Sequence, residues 1–154
     1  MSVLISLSFL SIISLAAAES HTITFINNCG IGTPMLIQGS NVLSTGASVT
    51  VNGPLIDGIA YLQTGQCQFS GDGCTVVEIS LTDPTSPGAV CTADITLIPP
   101  HTFSVATGFN FIDGCSNGVD CTNADCPGAF RSPGGGEITV CETSNCGIEI
   151  KFCD

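Results

Sequence analysis

Ten cysteines stand at positions 29, 67, 74, 91, 115, 121, 126, 141, 146 and 153, and the first 28 residues have none. What an even set of thiols does depends on where the chain lives, because disulfides persist in oxidising compartments and are rare in the cytosol. The start of the chain bears on that. MSVLISLSFLSIISLAAA is almost wholly apolar, contains no Lys or Arg, and ends in small residues. Such a run has the length of a signal-peptide apolar region plus its cleavage zone. A spanning helix is the competing reading, since about 18 apolar residues nearly cross a bilayer. Ala16, Ala17 and Ala18 and the lack of flanking basic anchors favour cleavage. A mature start at Glu19 and one at His21 both fit the small-residue pattern. The expectation is a secreted protein, extracellular or in the cell wall, with residues 1–20 as leader and 21–154 as one domain. The ten cysteines then read as five disulfides, with roughly a thousand pairings open. Zinc at Cys121-x4-Cys126 and Cys141-x4-Cys146 is the rival, disfavoured by export and by the presence of two histidines alone, His21 and His101.

Charge narrows the partners. Removing Glu19 with the leader leaves 12 acids against Arg131 and Lys151, a net charge of −10. Phosphate binding needs Lys and Arg, so nucleic acid and anionic membrane are excluded as partners. A cationic or a neutral, hydroxyl-rich partner suits this balance, and a monomer is expected.

Beyond the leader the sequence reads as short strands and turns. HTITFIN, MLIQG, SVTVNG, GIAYLQTG, CTVVEISL, DITLI, HTFSVATGF, EITVC and GIEIKFC are strand candidates, separated by Gly and Pro. No stretch holds a helical period over three turns, and ADCPGAF (124–130) has room for one short turn. SPGGG (132–136) reads as a hairpin or loop tip. Regular strand spacing with turn signals predicts an all-β sandwich or flattened barrel. No Asn-x-Ser/Thr acceptor lies beyond the leader, so N-glycosylation is not expected.

These stretches, in this order, resemble thaumatin-like proteins. HTITFINNC is similar to the family's opening strand T-F-x-[IV]-x-N-x-C. QTGQC followed by Cys74 is similar to its Q-T-G-D-C-x5-C, here with six intervening residues. TVVEISL resembles T-L-A-E-F-x-L, TADITLI resembles D-x-Y-D-[IV]-S-L, and IEIKFCD resembles the closing Y-x-[IV]-x-F-C-P. The ten-cysteine, short form is most like small secreted fungal members described as glycopeptides. The resemblance implies a flattened, disulfide-rich β-sandwich with stapled loops and a cleft on one side. It also implies two bridges, Cys29–Cys153 and Cys67–Cys74, and leaves Cys91, Cys115, Cys121, Cys126, Cys141 and Cys146 unassigned.

Larger members of that family line the cleft with one Arg, one Glu and three Asp. The resemblance carries the Glu to Glu78 and one Asp to Asp94. Alternation agrees: Val77, Ile79 and Leu81 share one face of their strand and Glu78 takes the other, and Ile95 and Leu97 oppose Asp94. The rest of the set is broken. Pro99 stands where the family has another Asp, and the chain's one Arg, Arg131, is far from the family's Arg segment. Asp57, Asp72 and Asp113 are loop acids that could substitute.

Two carboxylates can hydrolyse a glycosidic bond when one is held protonated and the pair is separated by roughly 5–5.5 Å or 6.5–9.5 Å. The plainer alternative is that Glu78 and Asp94 are solvated strand acids. Sugar binding also calls for an aromatic platform. The chain has no Trp, so Tyr61, beside the stapled stretch, is the candidate, with Glu78, Asp94 and Asp72 as polar partners. Phe25, Phe69, Phe103, Phe109, Phe111, Phe130 and Phe152 are expected mainly in the core. No metal or cofactor is expected. The alternative is copper: a chain starting at His21 offers its amine and imidazole, and His101 a second imidazole, as polysaccharide monooxygenases do. A G-x-S-x-G elbow, a Cys–His pair and a phosphate loop have no support. The functional expectation is binding of a cell-wall polysaccharide, with β-1,3-glucan the class implied by resemblance and an antifungal, host-interaction or wall-development role. The alternatives are a weak endo-β-1,3-glucanase or copper-dependent polysaccharide oxidase, and a non-catalytic scaffold for a protein partner.

Overall fold

The computed structural model describes residues 18–154, so the expected leader lies outside the described residues up to position 17. Eleven strands follow, with no helix among the described residues. In order they are β1 (Ser20–Asn27), β2 (Thr33–Gln38), β3 (Asn41–Ser44), β4 (Val49–Asn52), β5 (Leu55–Gln63) and β6 (Val76–Leu81). Then come β7 (Cys91–Thr96), β8 (Thr107–Ile112), β9 (Gly118–Cys121), β10 (Thr139–Cys141) and β11 (Gly147–Phe152). They form a five-stranded sheet, β4-β1-β11-β8-β9, and a six-stranded sheet, β10-β7-β6-β5-β2-β3. No strand belongs to both sheets, so of the two expected forms the chain takes the sandwich.

Alternating residues build the core between the sheets. Ile148, Ile150 and Phe152 of β11, Ile23 of β1 and Phe109 and Phe111 of β8 face Leu36, Leu62, Val77, Ile79, Leu81 and Ile95 from the other sheet. Glu149 and Lys151 take the opposite face of β11, as period-two alternation requires. Phe109 and Phe111 stack edge to face with ring centroids 6.1 Å apart.

All ten cysteines are paired. Cys29–Cys153 and Cys67–Cys74 form as the resemblance implied. The others are Cys91–Cys146, Cys115–Cys141 and Cys121–Cys126. Cys141 and Cys146 therefore go to different partners and Cys121 closes on Cys126, which removes the zinc alternative. Cys91–Cys146 ties β7 of one sheet to the entry of β11 in the other.

Several boundaries differ from expectation. β3 and β9 are short strands at sheet edges, with too few alternating residues to be read from sequence. His101–Val105, expected as strand, is irregular. Thr75 and Ser104 take each other's backbone N–H groups with their hydroxyls, at 3.1 and 3.0 Å, in place of a ladder. β1 begins at Ser20, paired with Asn52, and Glu19 O accepts from Gly53 N at 2.7 Å. The last two residues of the expected leader thus contribute to the fold.

The outer face of the six-stranded sheet carries a second, smaller apolar cluster. Ile37, Tyr61 and Val76 are buried there beneath the 64–75 loop, with Met35 and Ile59 at its margin and Cys67–Cys74 within it. The loop lies this close because of Gly71. Its φ is +82°, and a Cβ there would meet Val76 Cγ2 at 2.6 Å and Tyr61 Cδ1 at 3.4 Å. Gly71→Ala combines strained backbone with a clash and is expected to cost about 1–3 kcal/mol of stability, measured by denaturant unfolding. An unchanged unfolding midpoint would mean that the loop is not seated on the sheet as described.

Candidate functional site

Strand register decides what shares the outer face of the six-stranded sheet. One row across it runs Ile37, Ile59, Glu78, Asp94, each the Cα partner of the next. The next row toward the far end holds Ser80 opposite Thr92. The apolar half of this face lies under the stapled loop, and the polar half is left open. There Asp57, Gly58, Ile59, Glu78, Ile79, Ser80, Thr92 and Asp94 line a concave depression of ≈ 200 Å³.

Each acid arrives by a different local rule. Glu78 is exposed because VVEISL alternates and its neighbours Val77 and Ile79 are taken by the core. Asp94 is half-buried between the core residues Ala93 and Ile95. Asp57 comes from an irregularity in β5: the register with β6 shifts between Leu55 and Gly58, and Asp57 takes φ +53°. Asp is one of the few residues that adopt this region readily. Its backbone N–H donates to Ser80 Oγ at 3.1 Å, which fixes the kink beside the carboxylate pair.

Residues directly opposite in an antiparallel ladder have Cβ atoms about 4.5–5.5 Å apart, so two carboxylates at 78 and 94 repel. Burial, and then the charge of Glu78, push the Asp94 carboxyl up to about 7. Near neutral pH Asp94 therefore holds a proton for about half the time, offering one donor beside several acceptors. Ser80 and Thr92 add hydroxyls. Neither Arg131 nor Lys151 lines the depression. Arg131 faces Asp125 at 3.3 Å, and Lys151 lies near Glu149 and Asp154 at 3.8 and 3.7 Å. A cluster of this kind can hydrogen-bond a hydroxyl-rich ligand, and its protonated and ionised carboxyls are the chemical minimum for acid–base work.

The sequence-level candidates divide. Glu78 and Asp94 meet, and Asp57 joins them. Tyr61 does not, being 1% exposed under the stapled loop with its hydroxyl donating to Phe69 O at 3.1 Å; burial pushes its phenol up. It cannot serve as a sugar platform. Asp72 sits on the stapled loop, accepts from Ser70 Oγ at 2.7 Å and is absent from the lining. Asp113, at φ +61° after β8, is absent from it too. Phe69 is the exposed aromatic among the described residues, at 49%. The copper brace is not assembled. His21 is buried, with Nδ1 against Cys146 O at 2.9 Å, while His101 Nδ1 faces Gly71 O at 3.2 Å, under a different loop. Ser80 and Thr92 escaped the sequence reading, although both follow from alternation, two positions from Glu78 and Asp94.

No protein-family model matches the chain, and no curated protein sequence matches it.

Asp94 supplies a pH test. Its folded pKa lies above the ordinary value, so between about pH 4 and about pH 7 the folded state holds a proton that the unfolded chain has released. Stability is therefore expected to fall as pH rises through that window, and Asp94→Asn should flatten the slope. Site-resolved carboxyl titration by NMR should put Asp94 near 7 and move it down in Glu78→Gln. An Asp94 midpoint in the ordinary carboxylate range would remove the protonated donor from the depression.

Proposed function

We propose that this chain is a secreted thaumatin-like protein that binds a neutral cell-wall polysaccharide, with β-1,3-glucan as the leading class, in the Asp57–Glu78–Asp94 depression. The observation that carries the reading is the open half of the sheet face. Two facing carboxylates, a third acid and two hydroxyls converge there with no cation beside them. Sugar hydroxyls donate to carboxylates and accept from protonated ones, so this set matches a polyol better than an anion. Five disulfides support an oxidising, extracellular destination. Among the described residues no helix is long and apolar enough to cross a membrane. The order of QTGQC, VVEISL, TADITLI and IEIKFCD supports the family assignment, as does the Cys29–Cys153 clasp. The depression is small, so binding through it is expected to engage one or two sugar units.

Asp94, raised to about 7 beside Glu78, favours a second reading, slow hydrolysis with Asp94 as the acid. One assay separates the two. Mature protein is mixed with insoluble β-1,3-glucan, and both depletion from solution and released reducing ends are measured. Depletion without release, lost in the double variant Glu78→Gln and Asp94→Asn, is the expected result. Release of reducing ends would establish hydrolysis. No depletion and no release would reject both readings of the depression.

A further inference from the structure

A second polar cluster lies away from this face, where the chain enters β1. Glu19, His21 and Ile23 alternate along one side of the strand, so the first two meet beside the core. His21 is fully buried and its Nδ1 lies 2.9 Å from Cys146 O. A carbonyl only accepts, so Nδ1 carries the hydrogen. Nε2 then points at Glu19 Oε1, 3.1 Å away. Hydrogen bonds from the Asp83 amide, at 2.8 Å, and then from His21 hold the Glu19 carboxyl below its ordinary value, so it faces His21 as a carboxylate. Nε2 and the Glu19 carboxylate thus face one another at a distance that a shared cation can bridge.

The Asp83 carboxylate completes the group. One oxygen from each of Glu19 and Asp83 and one nitrogen of His21 lie within 4.8 Å of one another. Ligand atoms around a tetrahedral zinc are roughly 3.3–3.5 Å apart, so closure needs small side-chain shifts. The surroundings hold the group in place. Asn145 N donates to Asp83 Oδ1, Ser20 N donates to Asn145 Oδ1 at 2.8 Å, and Gly53 N donates to Glu19 O. Cys91–Cys146 anchors the strand and the loop that carry these partners. The Nδ1–H···O=C bond is the outer contact that a metal-binding histidine characteristically makes. Glu19 is 25% exposed, which gives an entry path, and the chain's net charge of −11 draws cations toward it.

We propose that Glu19, His21 and Asp83 form a binding site for one divalent transition-metal ion of the zinc type, with a remaining position open to water. One imidazole and two carboxylates suit this class, whereas Mg²⁺ prefers oxygen ligands alone. On binding, the ion takes the Nε2 lone pair, and any proton held there leaves to solvent. The site is independent of the polysaccharide reading, since none of its residues lines the Asp57–Glu78–Asp94 depression.

The test uses the secreted protein, stripped with a chelator, with its N-terminus read by intact mass. Zinc chloride is titrated by calorimetry and followed by NMR of ¹⁵N-labelled histidine. The expected result is one zinc per chain, a large shift of His21 Nε2 with His101 unmoved, and no response to Mg²⁺. Glu19→Gln and Asp83→Asn should each weaken zinc by more than about tenfold, and Glu78→Gln should leave it unchanged. The histidine spectrum of the unmodified protein decides the question even where a variant does not fold. No zinc heat, a shift at His101 in place of His21, affinity unaltered in both folded variants, or a mature chain lacking Glu19 would each overturn the proposal.

Discussion

The first and last strands lie side by side and parallel, and the five-stranded sheet depends on that pairing. β1 and β11 match from Ile23 with Ile148 to Asn27 with Phe152. β4 hangs from the other edge of β1, and β8 with β9 from the other edge of β11. Without the central pair the sheet would separate into two pieces too small to cover the core. Parallel strands end at the same side, which is why Cys29 and Cys153, each just beyond its strand, can bond. That bridge closes a sequence separation of 124, and in the chain-entropy model it contributes about 5 kcal/mol against the unfolded state.

The six-stranded sheet meets a different constraint, because only one of its faces can pack on the other sheet. The chain covers half of the outer face with its own loop, seated by Gly71 and closed by Cys67–Cys74. This buries Ile37, Tyr61 and Val76. Across the row Ile37, Ile59, Glu78, Asp94 the apolar residues stop at Ile59 and the acids begin. The stapled loop and the acidic depression are thus two halves of one surface. The half-burial of Asp94 in this sheet, reinforced by Glu78, raises its carboxyl.

Alternation made much of this legible. VVEISL and ADIT each set one acid against a core-facing set, so Glu78 and Asp94 were readable as outward residues, though not as direct neighbours. Tyr61 was misread as a platform. Its surroundings, IAYL, form an unbroken apolar run, which is the pattern of a strand covered on both faces. His21 was read as a free terminus, yet in HTITFIN it is in phase with Ile23 and Phe25, which the core takes. Asp57 could be named only alongside Asp72 and Asp113 as a substitute loop acid, because its place depends on a register shift between two strands.

Local chemistry in the sequence alone determined the β class, the outward side of each acid and an oxidised cysteine set. These follow from period-two alternation, turn residues and thiol count, which are properties of neighbours along the chain. The tertiary structure decided the remaining three disulfides, the union of Asp57 with Glu78 and Asp94, and the meeting of Glu19, His21 and Asp83. Apart from the local Cys121–Cys126 bridge and the neighbours Glu19 and His21, these join segments that are distant in sequence. Only the register and stacking of the two sheets set the distances between them.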